Sequence, residues 1–162
     1  MMKAWVIADG TVTLSDMPEP TAGPGQVLIA VRAAGGNRSD LFARAGTAHR
    51  GIRSSQIAGG EAAGEVIGLG DGVTRWRVGD RVMGMLGGAL AERAVIDERV
   101  ALAVPDGCGW ARAASLPVAV CTEHDALVTN ARVEPGETVS SPGRPPESAS
   151  SPPRSPGDSE PG

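Results

Sequence analysis

The chain has 162 residues, enough for one domain or for one domain with a tail. Its formal net charge of −4 and its pI near 5.2 argue against electrostatic binding to nucleic acid and against adhesion to an anionic membrane surface. No apolar run approaches the roughly 20 residues that span a bilayer, and two cysteines provide no disulfide framework, so we expect a cytoplasmic protein.

Short strands dominate the predicted elements. The aromatic content is only 2% against 41% hydrophobic residues, so Val, Ile, Leu and Ala must fill the core. Abundant Gly and Pro predict many turns with short connections. We predict strands at residues 3–8, 12–15, 26–33, 62–69, 80–85, 89–96 and 101–104. Such a series is typical of a β-barrel or sandwich.

The third predicted strand alternates in hydrophobicity, and a helix is expected after it. Val27, Ile29, Val31 and Ala33 fall on one face of the strand. Residues 37–45 then predict a short helix capped by Asn37 or Ser39, and residues 46–58 a surface loop.

Helices are predicted after Pro105, at residues 110–116 and 117–131. One apolar stripe of the second helix is expected to be buried; it comprises Val120, Cys121, His124, Leu127, Val128 and Ala131. Residues 134–137 predict a turn, and residues 138–139 the start of a further strand.

Residues 140–162 differ in composition, because Ser and Pro dominate and Ala149 is the one aliphatic residue. Such a segment buries too little surface to offset the entropy of ordering, so we expect a disordered tail. Its PxxP spacings allow an adaptor-binding role, but Pro-rich composition also produces them by chance.

Six segments in order resemble the N-terminal, GroES-like part of medium-chain dehydrogenases/reductases, in particular the zinc-free quinone oxidoreductase branch. They read GPGQVLIAVRAAGGNRSDLFARAG, GGEAAGEVIGLGDGVTRWRVGDRV, ALAERAVI, LAVPDG, AASLPVAVCTEHDALV and VEPGETV. The resemblance implies a mainly β fold with short helices, built as a partly open GroES-like barrel. It also implies hydride transfer from NADPH to a quinone, enone or carbonyl, with a homodimer possible in the full-length family.

The resemblance divides the chain into a GroES-like portion at 1–132, the start of a nucleotide-binding domain at 133–139, and the tail at 140–162. In that family the last segment leads into a parallel strand and a glycine-rich, pyrophosphate-binding turn. We therefore expect a truncated or frame-shifted, inactive fragment; a short protein with a natural tail is the alternative. Two further alternatives are a non-enzymatic GroES-like binding module and a zinc-type alcohol dehydrogenase relative that has lost its metal.

The resemblance also bears on zinc. In alcohol dehydrogenase relatives a Cys and a His bind the catalytic metal where this chain has Asn37 and Gly60. A tetrahedral site needs three or four suitable ligands. Cys121 and His124 have a plausible spacing, but core packing is the better explanation of them, so we expect no zinc.

Three residues are candidates for catalysis. In the resembling reductases the segment around Asn37 and Asp40 lies at the substrate cleft, where an amide can bind a carbonyl oxygen and a carboxylate can relay a proton. The alternative is a helix cap with an acidic residue in the first turn. Glu61 lies near the cleft in the family, and its alternative is a charged residue at a strand start.

Thr122 stands where the family commonly places a threonine against the cofactor, the alternative being a surface hydroxyl. Arg44, Arg50 and Arg53 could meet a cofactor phosphate, although solvated loop charges explain them better. The Gly68-x-Gly70-x-Gly72 run does not match a dinucleotide fingerprint, because Val73 stands where the fingerprint has its last glycine and no helix is predicted to follow. It therefore predicts a β-turn.

Overall fold

A computed structural model describes residues 1–8, 10–40 and 57–139 of the chain. Within them, strands carry most of the regular structure and the helices are short. The strands are β1 (Met2–Ala8), β2 (Thr11–Met17), β3 (Gln26–Gly35), β4 (Glu61–Leu69), β5 (Arg81–Met85), β6 (Arg93–Asp97) and β7 (Leu102–Ala103). The helices are α1 (Trp110–Ala114) and α2 (Pro117–His124), and a π-helix, Asp125–Asn130, continues α2.

The strands form two sheets. β1 and β2 make an antiparallel hairpin, and the other five pair in the order β6-β3-β4-β5-β7. The larger sheet does not close on itself within the described chain. This confirms the expected mainly β fold with short helices and a sheet that stays partly open.

β3 shows the expected alternation. Val27 and Ile29 are buried and join the first core cluster, while Val31 packs against its edge. The pairing with β4 shifts register between Val31 and Ala33, and Ala33 consequently packs on the second cluster.

The core consists of two aliphatic clusters, as the composition predicts. The first lies within the sheet and contains Val27, Ile29, Val66, Val82, Ala94, Ile96 and Ala101. The second lies beneath α1 and contains Ala63, Met83, Val104, Ala113 and Ala114. The buried residues of α1 are both alanines, which lets the helix lie close to the sheet, while Trp110 at its start packs against the edge of the cluster.

Several predicted boundaries need correction. The helix expected over residues 117–131 is α-helical only to His124 and then widens into the π-helix. The strand start expected at residues 138–139 is absent, since these residues have no partner strand within the described chain; the turn before them forms, with the Glu137 N–H donating to Glu134 O at 3.1 Å. Of the helix predicted over 37–45, residues 38–40 are helical and the rest lies outside the described residues.

No helix in the described part of the chain is long and apolar enough to cross a membrane. The predicted tail at 140–162 and the surface loop over most of 46–58 lie outside the described residues.

Candidate functional site

The predicted catalytic residues lie where β3 ends and β4 begins. Gly35, the last residue of β3, pairs with Glu61, the first residue of β4. Asn37 follows two residues after β3, so the antiparallel pairing brings its side chain to the same edge as Glu61. Glu61 is only 3% exposed and is the one buried charged side chain among the described residues.

From the described residues the Glu61 carboxylate accepts two hydrogen bonds, one at each oxygen. The Asn37 side-chain amide donates through Nδ2 to Oε1 at 2.7 Å. The backbone N–H of Val118 donates to Oε2 at 2.8 Å. A buried carboxylate is costly unless it is well paired, and these two charge-assisted bonds supply that pairing.

Helix α2 provides the second donor for a sequence reason. Pro117 occupies its first position and has no N–H, so Val118 carries the first free backbone donor of the helix. The start of a helix also carries partial positive charge, which favours an anion there. Glu61 therefore ties the strand pair to α2.

Asp40 has other partners than this carboxylate. Its Oδ2 accepts the backbone N–H of Asn37 at 2.7 Å, and its own N–H donates to Asn37 O at 3.0 Å. This is one arm of a capping box. In the other arm the Asn37 side-chain oxygen would accept the Asp40 N–H, but that N–H donates to the Asn37 backbone oxygen.

Gly35 is a site residue that the sequence analysis missed. A Cβ at position 35 would overlap the Glu61 carboxylate, so only glycine leaves room for it. The Gly-Gly pair directly before Asn37 was the available signal. The Val118 donor was missed too, because a backbone N–H leaves no mark in side-chain identity; Pro117 at the helix start was its only indication.

The Gly59–Gly60 turn sets the entry into β4. Gly59 has φ 95°, and a Cβ there would lie 2.8 Å from the Leu90 nitrogen, so glycine is required. A Cβ at Gly60 would meet nothing within 4 Å, so the absence of a metal-binding side chain at 60 has no steric cause. No group of three or more His, Cys, Asp or Glu suited to a metal ion occurs in the described residues.

Helix α2 is more exposed than expected. The stripe predicted to be buried faces solvent over most of its length, including Cys121 and His124, and Val120 is 53% exposed. The physical reason is that Pro117, in the first turn of α2, is its one buried residue, and nothing described covers the remainder. Core packing therefore does not explain Cys121 and His124.

Thr122 lies on this exposed part of α2, one helical turn after Val118, and has no described hydrogen bond with Asn37 or Glu61. The structure thus joins Asn37 to Glu61 by a hydrogen bond. Arg44, Arg50 and Arg53 lie outside the described residues.

The glycine run at 68–72 leaves the end of β4 and enters a turn, as predicted. The Val73 N–H donates to Gly70 O at 3.3 Å, and among the described residues no helix follows the run before Trp110. A dinucleotide pyrophosphate needs a glycine-rich turn that opens a helix. The glycine run therefore does not fit the diphosphate part of a nicotinamide cofactor.

The chain is similar in sequence to a known domain family and to known proteins. The sequence profile of the alcohol dehydrogenase GroES-like domain matches residues 23–106, just over half of the chain. The pikromycin polyketide synthase component PikAII of Streptomyces venezuelae is 44% identical over 122 residues, which make up 75% of this chain and 3% of that protein.

Solved structures share the fold over most of the chain. A mycobacterial quinone oxidoreductase has a TM-score of 0.74 at 30% identity, covering 84% of this chain and 44% of its own. The CurK enoyl reductase has a TM-score of 0.74 at 26% identity and is matched over 84% of this chain and 45% of its own. A mycobacterial protein complexed with NADPH has a TM-score of 0.75 at 30% identity and is matched over 84% of this chain and 44% of its own. The chain thus spans under half the length of these structures.

Proposed function

Because the chain belongs to the alcohol dehydrogenase GroES-like domain family of medium-chain dehydrogenases/reductases, we propose that it forms the acceptor-binding part of a zinc-independent, NADPH-dependent reductase. The substrate would be a quinone, an enone or another activated carbonyl. The observation that supports this is the Asn37–Glu61–Val118 hydrogen-bond system at the start of β4. It holds an amide donor in place at the edge of the sheet.

Asn37 would bind the oxygen of the substrate carbonyl. One amide hydrogen is engaged with Glu61, and the second N–H can donate to a carbonyl oxygen as negative charge develops on it. Asp40 holds the main chain of Asn37, because the Asn37 backbone N–H donates to the Asp40 carboxylate at 2.7 Å. Both carboxylates would therefore position the donor, and a donor that is already in position stabilises such charge without reorganisation.

NADPH would supply the hydride when bound, as the likeness to the mycobacterial protein complexed with NADPH suggests. Thr122, on the exposed part of α2, is the candidate contact for the cofactor. The described residues lack a pyrophosphate-binding turn at the glycine run, so most of the cofactor's binding would depend on other parts of a longer protein.

The enone is the second substrate class. The likeness to the CurK enoyl reductase supports an enone, as the likeness to the quinone oxidoreductase supports a quinone. Both classes present a carbonyl oxygen to the same donor, so Asn37 would have the same role with either.

The proposal also includes a cytoplasmic location and a small-molecule quinone or carbonyl as the partner. It includes a homodimer for the full-length family and involves neither nucleic acid nor membrane. A non-enzymatic GroES-like binding module is the competing function and predicts a stable ring in size-exclusion chromatography. A zinc-type alcohol dehydrogenase relative that has lost its metal predicts alcohol rather than quinone binding.

Duroquinone, which is fully substituted and alkylates thiols poorly, is the probe for a test. We expect titration into the ¹⁵N-labelled chain to shift the Asn37 side-chain amide signal. Asn37→Ala should weaken binding by roughly tenfold, the worth of one hydrogen bond to a polarised oxygen. Asn130→Ala is the matched control, because the Asn130 amide binds Asp125 within the π-helix and is far from Asn37 in sequence. Equal affinity of the Asn37→Ala chain and the wild type would contradict the proposed role.

A further inference from the structure

The Asn37 side-chain amide can take two orientations, which differ by a rotation of half a turn about the Cβ–Cγ bond. In one the nitrogen faces Glu61, and in the other the oxygen does. The two forms have almost the same shape but present opposite hydrogen-bonding groups to a ligand. Which form is present therefore decides what the proposed acceptor site can bind.

The backbone of α2 decides this choice through Glu61. The Val118 N–H is a fixed donor at 2.8 Å from Oε2, so any side chain at position 61 must turn an acceptor toward it. A carboxylate has a second acceptor left, Oε1, and it faces Asn37. Asn37 must then turn its nitrogen toward Glu61, because two facing oxygens without a hydrogen between them repel each other.

We propose that Glu61 is a positioning residue that fixes the orientation of the Asn37 amide, with the N-terminus of α2 as its reference. This rests on the proposed role of Asn37 as the substrate's hydrogen-bond donor and adds how its polarity is set. Gly35 leaves the space that the Glu61 carboxylate occupies, since a side chain at position 35 would overlap it.

Replacement of Glu61 by glutamine should invert the arrangement without changing its shape. In Glu61→Gln the side-chain oxygen must still accept from Val118, so its NH₂ group faces Asn37. The Asn37 amide then turns over, and its oxygen accepts from position 61. Glu65→Gln is the matched control, because Glu65 lies on the same strand but is half-exposed beside Arg32.

Hydrogen exchange of side-chain amides in the ¹⁵N-labelled full chain reports the inversion directly. In the wild type, exchange should be slow for the Asn37 amide hydrogen that is bound to Glu61. In Glu61→Gln that protection should fall by about tenfold or more, and the new glutamine amide at position 61 should become protected instead. Retained protection of Asn37, or an unprotected amide at position 61, would overturn the proposal. No ligand is present, so the result is independent of the duroquinone titration.

A double substitution provides a second test that does not depend on the stability of the Glu61→Gln variant. Asn37→Asp alone places two carboxylates face to face and should lower the thermal midpoint. Combined with Glu61→Gln, the new carboxylate at 37 faces the glutamine NH₂, and the midpoint should rise again. A double variant no more stable than Asn37→Asp would also overturn the proposal, since the pair would then lack complementary polarity.

Discussion

The buried Glu61 carboxylate shows how much at this edge depends on one side chain. It satisfies the first free N–H of α2 and the amide of Asn37, and it fits only because position 35 has no side chain. Family resemblance can nominate Asn37 and Glu61 from sequence. The resemblance does not show that these two side chains bind each other, because they are distant in sequence and their contact depends on how β3 pairs with β4.

Gly35→Ala is expected to displace the Glu61 carboxylate and to weaken both of its hydrogen bonds. Overpacking of this kind costs about 1–3 kcal/mol. Chemical denaturation measures the change. Gly36→Ala is the matched control, because a Cβ at 36 would meet nothing within 4 Å, and such a change should alter stability by less than about 0.5 kcal/mol. Equal stabilities of the two variants would show that the carboxylate has room to move.

Asp97, the last residue of β6, is expected to titrate at unusually low pH. The Arg99 side chain donates to it at 2.6 Å and the Arg99 backbone N–H at 2.9 Å, which lowers the pKa of Asp97 from 3.8 to about 2. Since the folded pKa lies below the ordinary one, this pair stabilises the fold above pH 3.8, and its contribution is lost as the pH falls through about 2.

A carbon-detected NMR titration measures this pKa directly. Arg99→Ala should return the Asp97 midpoint toward 3.8, because the side-chain hydrogen bonds and the charge of Arg99 are removed. A wild-type midpoint already near 3.8 would contradict the geometry of the pair.

Among the elements, the strands were more predictable from sequence than the helices. The alternation of Val27 and Ile29 follows from the period of a strand, which requires no knowledge of the partner strand. The length and burial of α2 depend on what packs against it, and only Pro117 in its first turn is buried. For the same reason the apolar stripe of α2 was wrongly expected to be buried.

The exposed stripe of α2 leads to a prediction about surface rather than core. Val120 and Val128 are 53% and 54% exposed, so replacing both by Ser should change stability by less than about 0.5 kcal/mol. Binding of a hydrophobic dye should fall in that variant, because an apolar patch is removed. The fully buried Val66 is the control: Val66→Ala should cost about 1.5–3 kcal/mol and leave this patch intact. Unchanged dye binding in the double Ser variant would place the binding surface elsewhere.

At the scale of the whole molecule, the family and the mainly β fold could be predicted from sequence, because they rest on an ordered series of turns and strands. The partly open barrel was also expected from the resemblance, but the strand order of the five-stranded sheet could not be predicted, since it depends on which strands pair. The expectation of an inactive fragment stays a prediction, as do the quinone, the cofactor and the absence of zinc.

The chain on its own is expected to bind NADPH too weakly for detection by titration calorimetry and to oxidise none in the presence of duroquinone. The reason is that the glycine run at 68–72 closes a β-turn and opens no helix within the described residues. Boiled protein and buffer blanks are the controls. Micromolar binding would show that another part of the chain holds the cofactor.

The β1–β2 hairpin has a consequence for how the molecule opens. It is a separate two-stranded sheet, joined to the rest through backbone bonds that include those of Lys3 and Trp5 with residues 58, 90 and 92. One of its faces is largely exposed, with Trp5 at 45% and Leu14 at 55%. Met2 and Ala4 of β1 are buried, whereas β2 is largely exposed and pairs with β1 as its one described partner strand. β2 therefore constitutes a low-energy unfolding unit that can detach while the five-stranded sheet stays folded. The protein therefore has two levels of local stability, and the amides of β2 should be the first strand amides to exchange with solvent.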